Sequence, residues 1–300
     1  MATTRSSRAI TSTDAPRRLG RPGLPAPLAV LGGLAIVSAA PTASTTVSTG
    51  APAGSAPAPQ APAQPLPQGQ GSFFDPLDRI DPKHWYVADG WTNGDHQGCT
   101  WSRDNAGVSK GVLRLHLAKA ADRLRPYRCA ELQTNAAYGY GTYEARMRTA
   151  AGSGLNSAIF TYSGKPLSPI HDEIDFEFLG KNSRQVQLNY FTAGKGEHGS
   201  TPELGFDASA GFNDYAFVWG PGSIRWYVNG KLVREASGPG LPSTPGKFYL
   251  TLWNGTANIA DWLGPFDATR TPALAEVDWV AYTKAGERCR FPQSVTCKLP

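Results

Sequence analysis

The sequence predicts an all-β protein, a β-jelly-roll sandwich of two antiparallel sheets. The 300-residue chain has 33 glycines, 25 prolines and only 18% charged residues, which favours short elements joined by many turns. After Ser72, apolar and polar residues alternate repeatedly with a period of two, the pattern of strands that bury one face. At this length, many strands without a long helical pattern favour a jelly-roll.

The alternating runs predict the strands one after another along the chain. They are Leu113–Leu117, Tyr143–Met147, Ile174–Phe178, Val186–Phe191, Ile224–Val228, Lys231–Val233, Phe248–Trp253 and Val277–Tyr282. Asn229 and Gly230 stand between two of these runs, and this dipeptide favours a tight hairpin turn. Only Leu117–Leu124 could form a helix, and Pro126 would end it.

The first 71 residues are expected to lie outside the folded domain. Arginines, an apolar stretch from Leu28 to Val37 and small residues follow one another, which is the order of a secretory signal at 1–40. The apolar stretch is too short to cross a bilayer, and an uncleaved anchor is the alternative. Residues 41–71 are rich in Ala, Pro, Ser and Thr and carry no charge, as in a flexible linker. The domain is then 72–300, secreted or periplasmic, with no membrane span in its mature form.

The net charge of +5 does not indicate a nucleic-acid partner. Residues 1–71 hold five arginines and one aspartate, so they account for most of the excess. The domain itself is almost neutral and has no basic run that could neutralise phosphates.

Four cysteines agree with export. None has the spacing of a zinc site, and an even number in an exported chain suggests two disulfides. Three pairings are open, and the most economical is Cys99–Cys129 with Cys289–Cys297. Buried free thiols are the alternative.

The segment from His171 to Phe178 carries three carboxylates at alternate positions. On a strand, Glu173, Asp175 and Glu177 project from one face and the apolar residues from the other. Residues four apart lie roughly 13 Å apart along a strand. Side chains that lean together would bring the two glutamates towards the roughly 5–5.5 Å of a retaining glycosidase pair. Three close carboxylates do not all ionise freely, so at least one is expected to have the raised pKa of a general acid.

A solvated acidic strand or a cation site would also explain these carboxylates, since hard cations bind oxygen ligands. However, three like charges on one strand are destabilising without a function or counter-charges, and only Lys181 is close in sequence. The pattern therefore favours catalysis.

The neighbouring run supplies groups that suit a sugar. Gln187, Asn189 and Phe191 share one face of a strand expected to pair beside the carboxylates. Amides bind hydroxyl groups and a ring stacks on a pyranose, although simple solvent exposure would also explain the amides. Four tryptophans near turns or strand ends are further cleft candidates, and three in apolar runs are core candidates: Trp91, Trp101, Trp253 and Trp262, and Trp219, Trp226 and Trp279.

Glu173-Ile174-Asp175-Phe176-Glu177 resembles the catalytic E-x-D-x-E strand of glycoside hydrolase family 16, in the unbulged form of lichenases and xyloglucan endotransglycosylases. The similarity extends over 172–181 (DEIDFEFLGK) and to 205–209 (GFDAS), 226–230 (WYVNG), 242–247 (PSTPGK) and 252–256 (LWNGT). It covers about residues 72–284.

This resemblance implies a concanavalin-like jelly-roll with a cleft on its concave sheet, and retaining hydrolysis by double displacement. It implies that Glu173 is the nucleophile, that Glu177 is the general acid/base and that Asp175 holds Glu173 and tunes the pair. It also implies substrate contacts at Asn93, Glu131, Phe160, Tyr162, Gln187, Asn189 and Trp253. His171 would either contact substrate or influence the carboxylates, or would simply be a polar residue at a strand start.

The resemblance further implies no cofactor for catalysis. It implies a structural calcium away from the cleft at Pro76, Gly111 and Asp278, and Cys99 and Cys129 look like the family's disulfide pair. Lichenases carry Trp, Arg, Tyr and Asn at four positions where this chain has His171, Gln133, Phe191 and Thr251.

A narrower subgroup matches other parts of the chain. His171, 152–157, 211–219 and the Cys289–Cys297 tail resemble bacterial endo-β-1,3-1,4-glycanases that depolymerise succinoglycan-type exopolysaccharide. The expected substrate is β-glucan or such an exopolysaccharide, and the expected form is a monomer. A carbohydrate-binding lectin of the same fold and a transglycosylase are the alternatives, but a lectin needs no row of carboxylates.

Overall fold

The structure, a computed structural model, describes residues 67–120, 124–288 and 291–298. Strands are the main regular secondary structure in these residues. They are β1 (Phe73–Asp75), β2 (Trp85–Val87), β3 (Cys99–Trp101), β4 (Ala106–Ser109), β5 (Val112–Lys119), β6 (Tyr127–Thr134), β7 (Gly141–Arg148), β8 (Leu155–Tyr162), β9 (Glu173–Leu179), β10 (Gln187–Phe191), β11 (Asn213–Gly220), β12 (Ser223–Val228), β13 (Lys231–Ser237), β14 (Lys247–Asn254) and β15 (Ala273–Lys284). One short helix, α1 (Ala260–Leu263), and four 3₁₀ turns at Arg103–Asn105, Ala257–Ile259, Ala268–Arg270 and Val295–Lys298 complete the described elements.

The strands form one continuous hydrogen-bonded sheet that folds over into two layers. The cleft sheet has the order β10-β9-β8-β14-β6, with β2 also paired to β6. The back sheet has the order β5-β15-β7-β11-β12-β13, with β1 beside β15 and β4 beside β5. Among the strands of the described residues, the two layers are joined where β5 meets β6 at Ala118–Arg128 and Lys119–Tyr127. All the pairings between these strands are antiparallel apart from β3 with β6, as the predicted jelly-roll requires.

The core lies between the two layers. Phe178 of the cleft sheet packs at 4.6 Å, ring centre to ring centre, on Tyr215 of the back sheet. Phe248 packs at 5.4 Å on Tyr143 in the same way. Because alternate residues of each strand point into this space, the apolar sets predicted from the period-two runs are buried.

The predicted hairpin is confirmed. Strands β12 and β13 pair as neighbours, and Asn229 and Gly230 between them have φ values of 49° and 76°. Positive φ at both central turn residues is the requirement that Asn-Gly satisfies with little strain. The three tryptophans predicted for the core, Trp219, Trp226 and Trp279, are also buried.

The segment Leu117–Leu124, which the sequence alone would also allow as a helix, begins as a strand in its described part. Leu117 to Lys119 belong to strand β5, where Leu117 is buried and pairs with Ala273 of β15. The last two residues of β5 make the junction with β6, so backbone pairing overrides the local helical composition. Helix α1 follows β14 at a place where the sequence pattern gave no helical signal.

Cys99 and Cys129 form the predicted disulfide and close a separation of 30 residues. The second predicted bridge involves Cys289, which lies outside the described residues, so that bridge stays a prediction. The expected signal at 1–40 and most of the expected linker at 41–71 also lie outside. Within the described part, backbone contacts begin before the expected boundary at Ser72, since the N–H of Gly69 donates to Ala137 and the N–H of Ala137 to Pro67.

None of the helices in the described ranges is long and apolar enough to cross a membrane.

Candidate active site

Strand β9 positions the three carboxylates. It lies between β8 and β10 in the cleft sheet, so both of its edges are hydrogen-bonded. Its apolar residues Ile174, Phe176 and Phe178 are fully or almost fully buried on the core side. The alternation therefore directs Glu173, Asp175 and Glu177 to the open side of the sheet, where all three line one cleft.

Strand register arranges the cleft side chains in three rows that cross the sheet. The first row is Phe191, Glu173, Tyr162 and Lys247; the second is Asn189, Asp175, Phe160, Tyr249 and Gln133; the third is Gln187, Glu177, Ala158, Thr251 and Glu131. Each carboxylate thus has an aromatic or small residue on one side and a residue of β10 on the other. The polar residues predicted from β10 lie beside the carboxylates, as expected.

Aromatic rings cover the part of the cleft away from β10. Phe160 and Tyr249 are stacked with ring centres 4.7 Å apart and planes at 11°. The cleft is also lined by Tyr86, Trp91, Trp101 and Trp253. Flat apolar rings among polar groups form a surface that suits the faces and hydroxyl groups of sugars.

Five of the residues expected to contact substrate line this cleft together with the carboxylates: Asn93, Glu131, Phe160, Tyr162 and Trp253. Gln187 faces a smaller adjoining pocket, where its Oε1 accepts a hydrogen bond of 2.7 Å from Trp262 Nε1. Trp262 therefore lies in the wall between the two pockets, 6.1 Å from Trp253 between ring centres.

The central carboxylate, Asp175, is the most buried of the three. Asp175 is only 3% exposed and lies between the two glutamates. Burial, followed by the charges of Glu173 and Glu177, raises the pKa of Asp175 well above its usual range, and Arg234 opposes the shift only partly. The raised pKa favours the protonated form of this carboxyl group, and protonation reduces the repulsion along the strand.

Glu177 is also shifted upwards. Burial is the main cause and raises the pKa of Glu177 to about 7; the Asn156 hydrogen bond lowers it and the charge of Glu173 raises it. A carboxyl group with this pKa can both give and take a proton near neutral pH. The expectation that at least one carboxylate would titrate high is confirmed.

His171 contacts Glu173. Its Nε2 lies 2.6 Å from Glu173 Oε2, and its ring stacks on Phe191 at 5.0 Å and packs against Tyr162 at the same distance. Of the readings given to His171, this geometry favours an influence on the carboxylates. The four positions that depart from lichenases all lie at the cleft. Gln133 and Thr251 line it, and Phe191 stacks on His171, which contacts Glu173.

Glu131 and Gln133 form a small polar group on β6. Gln133 Nε2 donates to Glu131 Oε1 at 3.2 Å, and Lys247 Nζ donates to Gln133 Oε1 at 2.9 Å. Burial raises the pKa of Glu131 to about 8, against the lowering effects of Gln133 and Lys247. At neutral pH Glu131 is therefore mainly a neutral carboxylic acid, which can donate a hydrogen bond to a ligand.

Two residues in contact with the site were missed in the sequence. Asn156 of β8 donates from Nδ2 to Glu177 Oε1 at 2.9 Å. Asp172, next to the first glutamate, accepts three backbone hydrogen bonds, from Ala193 at 2.9 Å, Ser243 at 2.8 Å and Thr244 at 2.9 Å. An asparagine in a strand and an aspartate before one carry no local signal of such contacts, because their partners are distant in sequence.

Pro76, Gly111 and Asp278, implied as calcium ligands, line a single pocket on the back sheet. Asp278 is at a β-bulge, because Val277 pairs with Met147 and Trp279 with Arg146, so its own main-chain groups are outside the regular ladder. Its Oδ2 lies 3.2 Å from Arg146 Nε, so Oδ1 and the main-chain oxygen are the donors it would offer a hard cation. In the described part of the chain, no group of three or more His, Cys, Asp or Glu side chains is arranged to hold a metal ion.

The hydrogen bonds of Asp172 predict how its loss would change the free energy of unfolding. Replacing it by Ala should lower the free energy of unfolding by about 2–4 kcal/mol at neutral pH, because three N–H groups lose a charged acceptor. Burial raises the pKa of Asp172, but these hydrogen bonds together lower it below its usual value. The stabilisation is therefore complete above the unfolded-state pKa of about 3.9 and is lost as the pH falls through the folded-state value.

Urea unfolding of the two full chains between pH 2 and pH 7 measures this difference. Asp207→Ala is the matched control, since Asp207 bonds Ser209 within its own loop, and it should cost less. A difference for Asp172→Ala that stayed constant down to pH 2 would contradict the interpretation.

Comparison with known proteins agrees with this geometry. Residues 93–281 match the sequence profile of glycosyl hydrolases family 16. Endo-1,3-1,4-beta-glycanase ExoK of Rhizobium meliloti (strain 1021) is 46% identical over 229 residues, which are 76% of this chain and 84% of ExoK. A beta-glucanase of Bacillus subtilis (strain 168) is 44% identical over 218 residues, 72% of this chain and 88% of that protein. The solved structure of a Bacillus licheniformis beta-glucanase superposes with a TM-score of 0.69 at 42% identity and covers 72% of this chain and 100% of its own. The chain therefore belongs to family 16 of the glycosyl hydrolases.

Proposed function

We propose that the chain is a secreted endo-β-glycanase that cleaves a β-1,3-1,4-linked glucan or a succinoglycan-type exopolysaccharide with retention of anomeric configuration. The observation that carries the proposal is the row of three carboxylates in an aromatic-lined cleft, with Glu177 shifted to a pKa of about 7. ExoK is named as an endo-1,3-1,4-beta-glycanase and the Bacillus subtilis relative as a beta-glucanase, which supports this substrate class.

In the first half of the reaction, Glu173 attacks the anomeric carbon. The bond from that carbon to the glycosidic oxygen breaks, and Glu177 gives its proton to the departing oxygen, so a covalent glycosyl-enzyme and a shortened chain result. In the second half, the Glu177 carboxylate takes a proton from water. The water oxygen then bonds to the anomeric carbon, and the ester bond to Glu173 breaks.

The remaining parts of the site fit these steps. Asp175 lies between the glutamates, and its raised pKa favours the protonated form, which lowers the repulsion between Asp175 and the nucleophile Glu173. His171 holds the outer oxygen of Glu173 and fixes the direction of attack. The steps use only side chains and water, so catalysis requires no cofactor.

The substrate is held by rings and amides along the rows. Phe160, Tyr162 and Trp253 offer faces for pyranose rings, and Asn93, Glu131, Gln187, Asn189 and His171 offer hydrogen-bonding groups. Since the cleft is crossed by three rows of side chains from β10 to β6, it can accept the interior of a polymer. The four departures at the cleft count against plant mixed-linkage glucan, and the resemblance of His171, 152–157 and 211–219 to the exopolysaccharide glycanases favours succinoglycan-type polymers.

The remaining expectations concern the state of the protein. The signal at 1–40 would direct the chain out of the cytoplasm, the linker at 41–71 would separate it from its point of attachment or cleavage, and the 72–300 domain would act as a monomer. Calcium bound at Pro76, Gly111 and Asp278 would stabilise the back sheet without taking part in the reaction.

The nucleophile is tested by Glu173→Ala in the full chain. Reducing-sugar release from lichenan, laminarin, xyloglucan and succinoglycan should be greatest for succinoglycan or lichenan in the wild type and should fall by at least about 10³-fold in the variant, since removing the group that attacks removes the covalent route. Added azide should restore turnover of an activated aryl glycoside and give the inverted glycosyl azide. Substantial residual cleavage of a polymer by the variant would overturn the proposal.

The role of Glu177 as general acid is tested by the pH dependence of kcat/KM. Because the general acid must be protonated, kcat/KM on the preferred polymer should fall as the pH rises through about 7. A glycoside with a dinitrophenolate leaving group needs no proton and should not show this fall. A fall that already begins near pH 5 would show that the pKa of Glu177 is not raised.

The metal is tested by thermal unfolding of the full chain in millimolar calcium and in excess EDTA. Calcium should raise the Tm by several degrees, because a ligand that binds the folded state stabilises it. Magnesium should be less effective, and Asp278→Ala should reduce the calcium effect. An equal Tm in calcium and EDTA would exclude this site.

A further inference from the structure

Asn156 is a buried polar residue on the cleft face of β8, in alternation with Ala158 and Phe160. It lies on β8 with an exposed fraction of 0%, and its strand partners are Leu179 on β9 and Trp253 on β14. From there its Nδ2 reaches Oε1 of Glu177 at 2.9 Å. It therefore touches the inner end of the carboxylate row, opposite the end that His171 touches.

The carbonyl end of the Asn156 amide does not explain why a polar side chain is buried at this position. Its Oδ1 is buried and has no hydrogen-bond partner among the described residues. A buried amide that is satisfied at one end only destabilises a fold relative to an apolar side chain of the same size. The compensating interaction on this side of the strand is the hydrogen bond to Glu177.

The direction of that hydrogen bond has a chemical consequence. An N–H that donates to a carboxylate stabilises the ionised form over the protonated form. Burial and the charge of Glu173 act in the opposite direction on the pKa of Glu177. Asn156 therefore offsets part of the desolvation of Glu177.

The charged groups around Glu177 do not duplicate this effect. On its own strand the titratable neighbours are Glu173 and Asp175; its partners on β8 and β10, Ala158 and Gln187, are uncharged. Across the cleft lie Glu131 on β6, Lys247 on β14 and His96 from the loop before β3. The Glu177 carboxylate accepts its hydrogen bond from Asn156.

We propose that Asn156 is a positioning residue that holds Oε1 of Glu177 and stabilises its carboxylate, so that Glu177 can act as the base in the second half of the reaction. This inference rests on the proposed function. The first half needs protonated Glu177 and the second half needs ionised Glu177, so the two halves make opposite demands on one group. A fixed donor at one oxygen leaves the other oxygen to exchange the proton with the leaving group and with water.

The test is a carboxyl titration of Glu177 in the full chain, followed by ¹³C NMR of protein labelled at the glutamate side-chain carboxyl carbon. The Glu177 signal is identified by its loss in Glu177→Gln. In Asn156→Leu the midpoint should move upwards by about half to one pH unit, because the carboxylate loses its donor. Asn156→Val, which suits a strand, should move it in the same direction and covers the case in which the leucine variant does not fold.

Asn254→Leu is the matched control. Asn254 is buried on the adjacent strand β14, its Oδ1 likewise has no partner among the described residues, and its Nδ2 contacts the oxygen of Gly255 instead of a carboxylate. Loss of this amide should leave the Glu177 midpoint unchanged. An equal shift in the control would overturn the proposal, as would an unchanged midpoint in the folded Asn156 variants.

Kinetics supply the second readout. The fall of kcat/KM on lichenan should move to higher pH in Asn156→Leu by the same amount as the NMR midpoint. With an aryl glycoside whose turnover is limited by the second half, kcat at pH 6 should fall several-fold while kcat/KM stays within about twofold. Equal losses in both constants would indicate a general structural defect and would overturn the proposal. The proposed function fails separately, if Glu177→Gln still cleaves the polymer at the wild-type rate.

Discussion

The carboxylate row on β9 exists only because the other face of the same strand is fixed in the core. Three acidic side chains at alternate positions repel one another, and without a compensating anchor the strand would turn or unpair to expose them. Ile174, Phe176 and Phe178 provide that anchor between the layers. Trp226 of the back sheet adds a direct link, since its Nε1 donates to the main-chain oxygen of Asp175 at 3.1 Å.

Protonation of the central carboxyl group would lower the repulsion within the row, which the packing of the apolar face does not remove. Burial and the charges of its two neighbours raise the pKa of the middle carboxyl group, which favours its uncharged form. The outer two are then distinguished by their contacts. Glu173 meets an imidazole at its outer oxygen, and Glu177 meets an amide at its inner oxygen. Two chemically identical side chains on one strand thus acquire different environments, which is the condition for a nucleophile and an acid/base on the same row.

The loops around the row are tied to the same strand. Asp172 accepts from a loop after β10 and from a loop before β14, separations of 21 and 71 residues. Arg234 of β13 lies 4.7 Å from the Trp226 ring centre and donates to the main-chain oxygens of Leu188 and His198. The walls of the cleft therefore depend on the same few buried polar groups as its floor. Substitutions at cleft positions such as His171 and Phe191 can occur without changing these hydrogen bonds.

The sequence by itself determined the strand pattern, the Asn-Gly hairpin, the common face of Glu173, Asp175 and Glu177, and the family, because each of these depends on residues close together in the chain. At Leu117–Lys119 it allowed a helix as well as a strand, and pairing with two distant strands decided for the strand. Only the tertiary structure decided which partners the carboxylates meet. Asn156 is 21 residues from Glu177, and its role depends on the register of β8 against β9, which no local pattern specifies. The pKa values of the carboxyl groups also depend on the tertiary structure, because desolvation is set by the packing of the sheet and not by the residue alone.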